Sequence, residues 1–246
     1  MASNSGGRYG ATATAPASNA CFLFHLVSFL LYVYVFCWHF SKHASTMPQA
    51  WEFGWFFKFL TFCSFSFQMV ALMISLLSHL FPEEKMLKRT SNEMSCASFQ
   101  ISNAAILVYW TVIFWTSSPL KMGVQTAARK TLQLGLIAGG PLWLSLLVNV
   151  GTSFFAWTDL VTTERTFRRS SLYITFLFMG LYIFWVHLCE IKNEDFPHPF
   201  IKPLRQPEGS ITVSLAAVVF VLFFHKIGSR FAGRGSSPLA RKIKLG

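Results

Sequence analysis

Apolar residues run in six long blocks along the chain, near 22–40, 55–81, 99–118, 132–157, 171–190 and 211–227, separated by short polar stretches. A helix crossing a bilayer needs about 20 such residues to cover roughly 30 Å of hydrocarbon. Unpaired backbone amides are not tolerated there, so each block is predicted to be helical. This includes the Val- and Phe-rich run 216–224, which would otherwise favour strand. The pattern predicts an all-α, multi-pass transmembrane helical bundle of about six helices. The fourth block carries Gly139-Gly140-Pro141. Either 132–138 is a lead-in and the main helix starts near Pro141, where a missing N–H costs nothing, or the triplet kinks one longer helix.

The blocks divide the chain into a flexible N-terminal tail (1–21), a transmembrane domain (22–227) and a basic C-terminal tail (228–246). Residues 1–20 lack the basic start and apolar core of a signal peptide, so the first helix is expected to serve as the targeting signal. Composition agrees with this division. Hydrophobic residues make up 53% of the 246 and charged residues only 13%, against about 25% charged in soluble domains. A cytosolic enzyme, a disordered chain and a disulfide-stapled miniprotein are thereby excluded.

The net charge of +11 comes from Lys and Arg at helix ends and in the tail. Anionic headgroups account for such charges, and no nucleic-acid-binding motif accompanies them. Thirteen of the 21 Lys and Arg fall on the side of the two termini, including Lys85, Lys88, Arg89, Arg165, Arg168 and Arg169; eight fall on the other. Both termini are therefore expected in the cytosol. Lys242 and Lys244 resemble a dilysine retrieval signal, which points to the endoplasmic reticulum. The five cysteines show no CxxC and no metal-ligand spacing, so no metal or cofactor is expected.

Ionisable groups inside spans are functional candidates by default. His39, His79 and His225 lie near span ends and read as interfacial. His25 and His187 read as packed or interhelical hydrogen-bonding residues. The second helix is rich in hydroxyls (Thr61, Ser64, Ser66, Ser75 and Ser78), the usual roles of which are back-bonding to a carbonyl one turn earlier or joining helices. There is no GxSxG elbow, P-loop or HExxH.

The stretch Lys58-Phe59-Leu60-Thr61-Phe62, after Trp55 and before Gln68, resembles the second helix of the androgen-induced protein family. Further likeness appears at Arg169-Ser170-Ser171, at Tyr182-Ile183-Phe184-Trp185-Val186 and at Pro199-Phe200. It is also seen from Trp143-Leu144 to Asp159, where the family carries an acidic residue. The resemblance spans about 22–227. It implies a multi-pass membrane protein in which an intramembrane Thr and a His hydrolyse fatty acid esters of hydroxy fatty acids. Membrane lipids of this kind are the implied partners. It places Thr61 as nucleophile, with Trp143, Tyr182, Trp185 and His187 as substrate-pocket candidates.

The family's W-L-N-H-x-x-H-T run departs here: the catalytic His falls on Asn149 and the earlier His on Leu146. Asn has no proton to exchange near neutral pH. A Thr hydroxyl needs an adjacent base, and losing one costs about a hundredfold or more in rate. Two readings follow. The chain is an ester hydrolase with another base, or a pseudoenzyme that binds lipid or a partner without turnover. A transporter, which predicts inverted repeats or paired mid-membrane charges, finds no support.

Overall fold

The computed structural model describes residues 19–117, 141–194 and 208–234. These residues form helices α1 (Asn19–Trp38), α2 (Lys42–Ser45), α3 (Leu60–Leu80), α4 (Lys85–Ser117), α5 (Leu142–Leu146), α6 (Thr152–Thr162), α7 (Arg169–Asn193) and α8 (Glu208–Arg234). A π-helical turn, Leu147–Gly151, joins α5 to α6 without a break. No strand occurs among the described residues. The chain is an all-α membrane bundle, with helices that run alternately between two faces. The face where α1 begins is called proximal and the other distal.

Among the described residues, five stretches are long and apolar enough to span: Asn19–Trp38, Leu60–Leu80, Trp143–Thr162, Arg169–Asn193 and Ile211–Ala232. The sixth long helix, α4, is more polar for a physical reason. It packs against α3, α6, α7 and α8, so its middle faces protein rather than lipid. Gln100, Ser102 and Asn103 are each at most 2% exposed there. Pro141 caps α5 in an extended conformation. The described helix starts at Leu142, after Pro141; residues 132–138, on which the two sequence readings differ, lie outside the described residues, as do those before 19 and after 234.

Polar side chains tie α4 to its neighbours. Ser64 meets Ser102 at 3.1 Å, and Asn103 accepts from Ser153 (2.7 Å) and from the Trp157 indole (2.9 Å). Gln100 donates to Ser171. In hydrocarbon each bond of this kind supplies about 1 kcal/mol of helix association.

On the distal face, residues 39–59 fold back over the bundle end. Phe53 exchanges two backbone hydrogen bonds with the Asn193 amide. Gly54 sits at φ +89°, where a Cβ would come within 2.5 Å of Cys189 Sγ. Only glycine accepts both that backbone conformation and that approach.

Candidate functional site

Thr61 occupies the second position of α3, on the distal face. At about 100° per residue, its azimuth lies between those of Gln68 and Phe65, on the inward side of the helix. Tyr32 of α1 donates to Gln68 (2.8 Å) and stacks on Phe65. Ser64, on the other side of Thr61, faces α4. Thr61 therefore opens toward the seam between α1 and α4 and is half-buried.

Two features make this hydroxyl unusual. It forms no hydrogen bond among the described residues, while the Cys63 thiol donates to the Phe57 carbonyl (2.9 Å), six residues back and ahead of the helix. In addition, the N-cap residue of α3 offers no side-chain acceptor, which leaves the first-turn N–H groups of Thr61 and Phe62 without a described acceptor, while that of Leu60 faces the Tyr182 hydroxyl. The positive end of the helix dipole lies at the same place. A half-buried hydroxyl beside orphan N–H donors is suited to attack on a carbonyl, with the donors receiving the oxyanion.

The entry of α3 is held from two sides. Lys58, 1% exposed, pairs with Glu52. Its carbonyl accepts from the Tyr182 hydroxyl at 3.0 Å. Tyr182 thus fixes the turn three residues before Thr61. Trp185 packs on Phe53 of the folded-back loop, and its buried indole N–H has no partner among the described residues. Trp143 lies on the outer distal surface, 43% exposed, against Tyr34 and Trp38. His187 bonds Glu190 on its own helix at 3.1 Å, about 140° around α7 from Tyr182. Of the four residues grouped with Thr61 by resemblance, Tyr182 reaches the α3 entry and Trp185 the loop over it.

Asn149 sits in the middle of the π-helical turn, a motif frequent at functional sites. Its amide donates back to the Ser145 carbonyl (2.8 Å) and hydroxyl (3.2 Å). No hydrogen bond joins it to Thr61. The two segments do share a depth, since Phe62 and Phe65 pack with Leu144 and Val148.

His39 stands at the distal end of α1, just past the span, but is not exposed there. Because residues 39–59 fold back, it is only 5% exposed, enclosed by Trp38, Trp55, Phe56 and Phe62. Its ring centroid lies 4.6 Å from that of Phe62, the residue after Thr61. Burial lowers its pKa below the ordinary histidine value. The sequence signal was the aromatic run Trp55-Phe56-Phe57 before Thr61, which supplies the enclosing rings.

A second polar cluster lies at the proximal end. His25 bonds Asp159 through Nε2 (2.8 Å) and His79 through Nδ1 (2.9 Å). Arg165 binds both Asp159 oxygens, at 2.8 and 3.1 Å, and reaches Ser75 and Ser91. A carboxylate only accepts, so His25 donates from Nε2 and its Nδ1 accepts from His79 in the neutral state. His25 is thus interhelical, as the sequence suggested, and Asp159 meets a loop arginine. Above the cluster a water-sized cleft is lined by Gln68, Leu72, Ser95, Ser98 and Asp159. His225, against Phe167, also lies at this end and is remote from Thr61.

A family model described as FAR-17a/AIG1-like protein matches residues 20–232. No curated protein and no solved structure matches the chain.

Proposed function

The chain belongs to the FAR-17a/AIG1-like family, and from that premise we propose that it is an intramembrane threonine hydrolase of lipid esters, with fatty acid esters of hydroxy fatty acids as the substrate class. Thr61 is the nucleophile in this reading. One observation carries it: an unbonded, half-buried Thr61 hydroxyl in the first turn of an uncapped helix. Orphan N–H groups at that turn are the donors an acyl-transfer oxyanion requires. An ester dissolved in the bilayer would reach the α1–α4 seam laterally. By the count of Lys and Arg the proximal face is the cytosolic one.

The test is hydrolysis of a long-chain ester of a hydroxy fatty acid by purified protein in lipid nanodiscs. Thr61→Ala is expected to abolish turnover, and Thr61→Ser to retain part of it. Equal turnover by wild type and Thr61→Ala overturns the assignment.

A second reading has its own observation. Asn149, at the position of the family histidine, spends its amide on Ser145, as expected of a site that binds lipid without turnover. Wild-type protein that binds the ester but never cleaves it supports that reading.

A further inference from the structure

We propose that His39 is the general base that serves Thr61. The inference rests on the hydrolase reading above and supplies what Asn149 cannot.

The argument starts from the tautomer. His39 Nδ1 lies 2.8 Å from the Val35 carbonyl. A carbonyl oxygen only accepts, so Nδ1 carries the proton and Nε2 is left with its lone pair. No described residue bonds Nε2. A neutral imidazole with Nδ1 held by an acceptor and Nε2 open is the arrangement that general-base catalysis uses.

Position follows from how α1 lies on α3. Down the helix pair, Tyr32 meets Gln68 and Phe65, Phe36 meets Phe62, and His39 meets Phe62 and Phe56. On α3 those contacts move from about 80° (Gln68) to about 200° (Phe62), counted from Leu60, so at the distal end α1 stands about 100° round from Thr61 and borders the seam into which Thr61 opens. The end of α1 at the height of Thr61 carries His39. The other described histidines do not compete. His25, His79 and His225 belong to the proximal end, His187 pairs with Glu190, and His43 is exposed on α2.

The surroundings keep the imidazole neutral. The rings against it come from α1, α3 and the turn Trp55–Lys58, and none carries charge. Charged groups at this end of the elements packed around it are Lys58, which is paired with Glu52, and Lys42 of α2; the other titratable groups there are His43, Tyr32, Tyr34, Cys37 and Cys63.

The chemistry balances with ester and water alone. His39 Nε2 takes the Thr61 hydroxyl proton as Oγ1 attacks the ester carbonyl, and the oxyanion forms at the α3 N–H groups. Collapse breaks the ester C–O bond. The departing alkoxide takes the proton from Nε2 and leaves as the hydroxy fatty acid. Water then attacks the acyl-threonine and gives its proton to Nε2. Collapse releases the fatty acid, with Thr61 reprotonated from His39.

The test compares wild type, His39→Asn, His39→Gln and Thr61→Ala on the same ester. Asn keeps a donor near the Val35 carbonyl but has no base. Both His39 variants are expected to lose about a hundredfold in kcat with little change in KM. The wild-type kcat/KM profile is expected to fall on an acidic limb below pH 6.5, and the variants to lack that limb. A folded His39→Asn protein with wild-type kcat, while Thr61→Ala is inactive, overturns the His39 assignment and leaves Thr61 standing. A wild-type profile without the acidic limb overturns it as well. Turnover unaffected by Thr61→Ala, or no wild-type turnover, removes the hydrolase reading and this inference with it.

Discussion

His25 Nε2 lies 2.8 Å from Asp159 Oδ1, a bond that ties the first helix to the end of the sixth, 134 residues later in the chain. Arg165 closes the same carboxylate from the other side. Breaking a buried ion pair by removing one partner costs about 3 kcal/mol or more, because the remaining charge stays uncompensated. Arg165→Met is therefore expected to lower the melting temperature in detergent more than the double variant Arg165→Met/Asp159→Asn does. A single variant as stable as wild type contradicts the clamp.

Acid sensitivity should trace in part to His39. Burial holds its folded pKa below the unfolded value of about 6.5, so between those two values the unfolded chain binds more protons. Stability then rises with pH through that window and is lost as pH falls from 6.5 toward the folded pKa. His39→Leu is expected to flatten this part of a stability-versus-pH curve recorded by thermal melting.

Asn103 is the acceptor for both Ser153 and Trp157. Asn103→Ala leaves one buried and one half-buried donor unpaired and is expected to cost about 2 kcal/mol. Adding Ser153→Ala should recover part of the loss, read as a partial return of the melting temperature.

Gly54→Ala combines a left-handed backbone with a Cβ 2.5 Å from Cys189 Sγ. A loss of about 1–2 kcal/mol is expected from the backbone term alone. Because this loop covers the α3 entry, ester turnover should fall with it while the far proximal cluster stays folded. Faster cleavage of the 39–59 loop by protease would report the loosened segment.

The spans were legible in the sequence because lipid permits little else: a block such as 60–80 must be helical wherever its side chains point. The Asp159–Arg165 pair was legible from position, an acid at a helix end beside a basic loop. The central place of α4 was not. Gln100, Ser102 and Asn103 read alike whether they line a bundle interior or interrupt a lipid-facing span, and only packing decides between these. The π turn around Asn149 depends on backbone hydrogen-bond register, which composition does not encode. His39 looked interfacial because it follows the last residue of its helix. Its burial comes from the fold-back of residues 39–59, a tertiary event held by Asn193 and Gly54.

The most direct measurement is mass spectrometry of the purified protein after reaction with a fluorophosphonate probe. The expected result is one adduct, mapped by fragmentation to Thr61, absent from Thr61→Ala and slowed in His39→Asn. An adduct on another residue, or labelling that persists in Thr61→Ala, contradicts the assignment of Thr61 as nucleophile.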